Sequence, residues 1–210
     1  MTLSYLDIAT TPAVRSAQEA NGSAQLYNKI AAKRRTDRLS IAEAEFITAR
    51  DSFYMASVSE TGWPYVQHRG GPTGFVTLLD DKPLAFADYS GNRQYISLGN
   101  TAANDRVALI MMDYPHRRRL KLYARIEVRD LLADSALAAR LAHPEYRALA
   151  ERAFLLHFEA SDWNYPQHIA PRYDEIEIAA ASAPLTARLS TLEIENASLR
   201  AARAKQDAQL

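Results

Sequence analysis

One stretch of this chain admits a single regular conformation. From Arg119 to Arg129 the residues alternate, with Leu120, Leu122, Ala124, Ile126 and Val128 on one face. Arg119, Lys121, Tyr123, Arg125 and Glu127 fall on the other. A period of two sorts one set into a core and the other towards water, the signature of a half-buried strand. A strand needs partners, and the chain supplies them. Residues 53–58, 65–69, 75–79 and 84–87 read as strands parted by turns at Glu60-Thr61-Gly62 and Asp80-Asp81-Lys82-Pro83. Residues 107–112 form a continuous apolar run, as a buried strand does. Residues 154–159 and 175–178 read as closing strands. Six or seven short strands with a few helices predict a mainly β fold, an antiparallel barrel or sandwich. No βαβ rhythm and no glycine-rich dinucleotide fingerprint is present, which argues against a doubly wound sheet.

Helical patterning occupies the flanks. Residues 23–35 read as a helix ending in Lys33-Arg34-Arg35. Ser40-Ile41-Ala42-Glu43 is a capping box opening a helix to about Ala49. Residues 95–103 and 135–142 are short helices, and helical patterning resumes after Pro144. Residues 1–22 have no clear period and read as an irregular lead-in. Three regions follow: an arm and helix over 1–39, the β domain over 40–180, and an amphipathic helix over 184–210. In that last helix Leu185, Leu189, Leu192, Asn196, Leu199, Arg203, Gln206 and Leu210 fall at alternating spacings of four and three. This is a heptad seam, and an inward Asn fixes register and favours two strands. Two partners suit it: a second chain, or the chain's own domain.

Composition narrows the chemistry. At 210 residues and 48% hydrophobic, the chain buries a real core. Its 25 basic residues match its 25 acidic ones, against the basic excess of a nucleic-acid or anionic-membrane binder. The absence of cysteine excludes disulfides, thiolate nucleophiles and cysteine-held metal. No apolar run is long enough to span a membrane, and residues 1–9 lack a signal-peptide pattern, so a cytoplasmic location is expected. All seven glycines lie between Gly22 and Gly99, five of them between Gly62 and Gly91. That concentration predicts tight turns there, and a site pressed against backbone.

Four segments carry candidate chemistry. Tyr65 to Pro72 ends a strand in Gln67, His68, Arg69 and two glycines; it is a ligand edge or a bulged hairpin. Ala87 and Asp88 end a strand before Ser90, Asn92, Arg93 and Gln94, at a helix start where anions bind. There a capped helix with a solvated Arg is the plainer reading. Arg117, Arg119 and Lys121 share a strand face, where like charges repel unless an anion or acid answers them. A charged edge that blocks aggregation is one alternative, and a nucleic-acid patch, which the neutral total charge weakens, is another. Trp163 to His168 is an aromatic and amide loop, which either covers a planar ligand or anchors itself in the core. The five histidines are scattered, so no metal site is expected.

Together these segments resemble the pyridoxamine 5′-phosphate oxidase-like, FMN-binding split-barrel family over about residues 40–180. Pro64 to Gly74, Phe86 to Arg93, Asn104 to Leu109 and Arg117 to Ile126 carry the likeness. The resemblance implies a barrel that forms a homodimer with FMN between subunits. It places Gln67, His68 and Arg69 along the ring edge. Ala87 and Asp88 end the strand; Asn92, Arg93 and Gln94, after Ser90, fall at the phosphate, with Arg69, Arg119 or Lys121 adding charge. Trp163 and Arg172 match a C-terminal pair that comes from near the partner subunit, and Trp163 and His168 shape the substrate side. Gly70-Gly71-Pro72 breaks the oxidase's apolar run, Gln67 stands for its first Arg, and Gln94 for a Lys. The implied activity is therefore an FMN-dependent oxidoreductase on a small molecule other than a vitamin B6 phosphate. A non-enzymatic flavin or haem module is the alternative.

Overall fold

The computed structural model describes residues 3–33, 38–79, 83–164 and 166–208, with backbone alone at 30–33. Seven strands form one antiparallel sheet in the order β2-β1-β5-β6-β7-β4-β3. They are β1 (Ser52–Val58), β2 (Pro64–Gly70), β3 (Thr77–Leu78), β4 (Pro83–Tyr89), β5 (Arg106–Asp113), β6 (Arg118–Arg129) and β7 (Ala150–Asn164). The alternation expected of β6 holds, with Leu120, Leu122, Ala124 and Ile126 buried and Val128 at the exposed end.

The sheet curls around Phe53, Met55, Phe75, Phe86, Leu109, Met111, Leu120, Leu122, Phe154 and Leu156. Its two ends meet without a backbone ladder. Across that seam Arg69 of β2 donates to Asp88 of β4 at 2.5 Å. The fold is thus a split barrel, closed by side chains where strand pairing stops. β4 is buried on both faces. Leu84 and Phe86 face the barrel, while Ala85 and Ala87 lie under α6 (Ser135–Leu141) with Leu137 and Leu141. Alanine on that side lets the helix approach closely.

Several elements differ from expectation. Residues 1–22 contain α1 (Tyr5–Ala9) and α2 (Pro12–Ala20). A Ser4–Asp7 capping box and Thr11 before Pro12 start them, and five- and nine-residue helices are too short to show a period. α3 (Ala24–Lys33) follows, and Arg34 and Arg35 lie outside the described residues. α4 (Ile41–Thr48) starts at the Ser40 capping box as predicted. The strand expected over 75–79 shrinks to β3, and Asp80 to Lys82 lie outside the described residues. After Pro144 there is a turn, in which Tyr146 N–H donates to the His143 carbonyl. Only a few residues remain there before β7 begins.

The expected strand at 175–178 is the first turn of α7 (Glu175–Asp207). Asp174 and Glu177 form a capping box there, and the alanines that follow favour helix over the short Glu-Ile alternation. Pro184 therefore lies inside this helix rather than at its start. The chain divides into two compact units, 1–169 and 170–210, and the second consists largely of α7. Among the described residues, no helix is long and apolar enough to cross a membrane.

Candidate functional site at the barrel seam

β2 is an edge strand, so one side of its backbone is unpaired. Its burial alternates, with Tyr65, Gln67 and Arg69 half-buried and Val66 and His68 exposed. Strand geometry therefore splits the expected trio. Gln67 and Arg69 face the seam. The His68 ring meets Tyr54 edge-on at 5.5 Å on the outer face.

Beyond β4 the chain turns through Ser90 to Gln94 into α5 (Ile96–Ala103). Asn92 Oδ1 accepts from Gln94 N–H at 3.1 Å, while Ser90 N–H donates to the Leu149 carbonyl. Arg93 and Tyr95 have φ of 59° and 53°. A non-glycine residue in the left-handed region costs roughly 1–3 kcal/mol, and such strain gathers at functional sites. Tyr95 is the N-cap of α5, and its side chain makes no capping hydrogen bond. The first amides of α5 thus have no capping side chain, and Ile96, Ser97 and Leu98 line the cleft. Ser97 donates to Gln67 Oε1 at 2.8 Å, and Asn100 donates to Ser57 Oγ at 3.1 Å, pinning α5 to β2 and β1.

A bulge adjoins the site. Asp88 pairs with Arg152, but Tyr89 pairs with Ala150, which leaves Glu151 unpaired and turned into the cleft. Arg152 donates to Asp88 at 2.8 Å and to Glu151 at 2.6 Å. The Tyr95 hydroxyl lies 3.4 Å from Glu151 Oε1. Around this cleft, three guanidiniums (Arg69, Arg93, Arg152) face two carboxylates (Asp88, Glu151). The excess is one positive charge, and exposed Arg93 carries it. A hydrogen bond with Tyr95 raises the Arg93 pKa further.

The resulting cleft of about 140 Å³ is lined by Gln67, Arg69, Asp88, Tyr89, residues 91–98, Tyr65 and Glu151. A neighbouring cleft of about 130 Å³ shares Gln67, Arg69 and Tyr89 and adds His68, Gly70, Phe75, Phe86 and Ala87. Two buried polar atoms here lack a partner among the described residues: Arg69 Nε and the Tyr89 hydroxyl. Burial raises the Tyr89 pKa, with Tyr146 adding to it. Such orphans cost about 1–3 kcal/mol each unless something pairs with them.

The structure therefore brings together Gln67, Arg69, Asp88, Asn92, Arg93 and Gln94, with His68 and Ala87 at the neighbouring cleft. Within residues 1–169, Ser90, Arg117, Arg119, Lys121, Trp163 and His168 do not line either cleft. Arg117 sits in a turn with φ 53°, ahead of β6. Arg119 and Lys121 lie on the outer face of β6, opposite Asn164 and Asp162. The Lys121 ammonium is 5.6 Å from the Tyr5 ring, and Arg119 Nε and Asn164 Oδ1 are both buried without a partner among the described residues. Trp163 packs edge-on against Phe46 at 4.8 Å and donates to Glu43 at 2.7 Å. Burial alone would raise the Glu43 pKa, but the bonds from Ser40 and Trp163 outweigh it and lower it. His168 is exposed with φ 62°, and Arg172 belongs to the second unit. Sequence reasoning missed Tyr65, Tyr89, Tyr95, Ser97 and Glu151. Only the alternation of β2 signals one of them, Tyr65.

Within the glycine cluster, Gly91 and Gly70 line the two clefts, while Gly71 serves packing. A Cβ on Gly71 would lie 2.7 Å from Phe75 Cγ and 2.9 Å from its Cβ. These atoms stand close to the Phe75 backbone and yield poorly. Gly71→Ala is expected to destabilise by about 1–3 kcal/mol, the usual cost of overpacking. Urea unfolding measures this, and a midpoint unchanged from the parent would show that Phe75 yields freely.

A family model described as pyridoxamine 5′-phosphate oxidase matches residues 39–183, more than half of the chain. The chain belongs to the pyridoxamine 5′-phosphate oxidase family. Solved structures with a similar fold include one from Lactobacillus delbrueckii, provisionally named as that oxidase. It is 22% identical, with 60% of this chain and 95% of that one covered, at a TM-score of 0.46. An FMN-binding protein from Syntrophomonas wolfei is 11% identical, covering 70% and 97%, at 0.45. A FAD-binding protein from Mesorhizobium loti is 18% identical, covering 60% and 94%, at 0.42. No curated protein matches the chain in sequence. Among the described residues, no three potential metal-ligating side chains gather.

Proposed function

We propose that the chain binds FMN along the seam between β2 and β4 and serves as an FMN-dependent oxidoreductase on a small molecule. The observation that carries this reading is the single surplus charge of Arg93 beside the uncapped start of α5, a combination that fits one phosphate. The orphaned Arg69 Nε and Tyr89 hydroxyl supply polar contacts deeper in the cleft. The free edge of β2 supplies backbone donors and acceptors for a planar ring. These residues fit the group. Bound FMN supplies the electron-transfer chemistry, and this chain's residues bind and orient it.

The cleft in one chain, about 140 Å³, is smaller than the ~300–1,000 Å³ typical of small-molecule sites. In this reading a second copy completes it, as a homodimer. The orphaned Arg119 Nε, with Lys121, Trp163, His168 and Arg172, then approaches the cofactor from the partner subunit.

The spectrum of purified protein titrated with FMN tests the cofactor. A two-banded flavin spectrum and a raised melting temperature are expected. A sharp Soret band would assign haem instead, and a colourless protein insensitive to FMN would overturn both. Arg93→Ala is expected to weaken FMN binding at least about tenfold, the scale of one charge-assisted hydrogen bond. Because Arg93 is fully exposed, the ligand-free melting temperature should not move. Anaerobic bleaching of the bound flavin by reduced nicotinamide tests the enzyme reading. A flavin that no small reductant bleaches points to a binding module.

A further inference from the structure

We propose that α7 pairs with α7 of a second copy as a parallel, in-register two-stranded coiled coil. The helix runs 33 residues, about 50 Å at 1.5 Å per residue, and none of them is buried. Leu185 is 74% exposed, Leu189 57%, Leu192 43% and Leu199 69%. A stripe of that kind along a long helix calls for a matching apolar partner. The heptad frame states which partner. Leu185, Leu192 and Leu199 occupy d, while Leu189 and Asn196 occupy a.

Leucine at d suits a two-stranded coil, and a lone Asn at a specifies register. In a parallel, in-register pair Asn196 meets its own copy, and the two amides satisfy each other. A slip of one heptad, or an antiparallel pairing, sets Asn196 against an apolar or cationic side chain and leaves its amide unpaired. The flanking charges agree with the same register. Arg188 at g faces Glu193 at e of the partner, and Glu195 at g faces Arg200 at e, so both g–e′ contacts on each side of the coil join opposite charges. Pro184 falls at c, away from the seam, so its missing amide hydrogen is not in the contact. The coil thus begins at Leu185. It fades at Arg203, an a position whose guanidinium lies 3.9 Å from Asp207 on its own helix.

The chain has no cysteine, so a single introduced one reports alone. Asn196→Cys, Leu192→Cys and Ser190→Cys would be compared in the full-length protein under a mild oxidant on a non-reducing gel. A disulfide needs the two Cα atoms within about 7 Å, which facing a or d positions allow and outward b positions do not. The expected result is a doubled apparent mass for the cysteines at 196 and at 192, and none for that at 190. Equal cross-linking at all three positions would show random encounter and overturn the proposal. No cross-link at 196 would also overturn it. Cross-linking only when the 196 and 192 variants are mixed would indicate an antiparallel pair.

Discussion

Arg69→Ala is expected to destabilise the barrel by about 1.5–3 kcal/mol, the worth of a hydrogen bond to a charged group, and to lower the melting temperature by roughly 3–12 °C. It should also weaken FMN binding at least about tenfold. The two effects share one cause. The Arg69 side chain is 13% exposed and its partner Asp88 11%. Their ion pair crosses the seam at the point where backbone pairing is absent. The same guanidinium lies 5.2 Å from the centre of the Phe154 ring and 6.0 Å from that of Phe86, so it also caps the aromatic core. Alanine leaves Asp88 with Arg152 alone, opens the seam and removes the orphaned Nε that faces the cleft. Thermal melting with and without FMN separates the parts. If ligand-free Arg69→Ala melts like the parent, the ion pair does not close the barrel. If FMN affinity survives while stability falls, Arg69 is structural only.

Much of the frame was legible because local and long-range demands coincide in it. The alternation of Arg119 to Arg129 and the Ser40–Glu43 capping box each specify one conformation, and the fold uses both. Expectation fails where a signal is short or a rule is applied incompletely. Glu175 to Ile178 alternates for four residues, too few to outweigh the Asp174 cap and the helix formers behind it. Gln67, His68 and Arg69 are neighbours in sequence, but strand alternation parts them: Gln67 and Arg69 line both clefts, while His68 meets Tyr54 and reaches only the smaller cleft. Glu151 reaches the cleft only through a bulge in the β4–β7 ladder, and a bulge leaves no mark in a single sequence. Tyr95 caps α5 from a left-handed backbone, which its residue type argues against. Arg93 was legible since a helix start beside a basic residue is a local pattern. Trp163 was legible only as a choice between covering a ligand and anchoring in the core, and its contacts with Glu43 and Phe46, 120 and 117 positions away in the chain, are those of the anchor.

The largest effect on stability belongs to Phe86→Ala. Phe86 is 1% exposed and sits between Phe53, Phe75 and Phe154, at centroid distances of 5.2, 6.3 and 5.4 Å. Truncating a buried Phe costs about 3–5 kcal/mol, because the neighbours close only part of the cavity. For a chain of this size that lowers the melting temperature by roughly 6–20 °C. Three rings that pack on Phe86 also pack on one another or carry Arg69, so the vacated space cannot close without moving the side chain that bridges the seam. The loss should therefore reach the cleft. Phe86→Ala is expected to weaken FMN binding although Phe86 makes no polar contact. Phe86→Leu, which keeps most of the volume, should cost under about 1.5 kcal/mol and leave binding near the parent's. Differential scanning calorimetry with an FMN titration of both variants checks the pair. A Phe86→Ala protein that melts near the parent would show that the four-ring cluster is not the centre of the core. One that is strongly destabilised yet binds FMN as the parent does would show that the core and the seam are energetically separate.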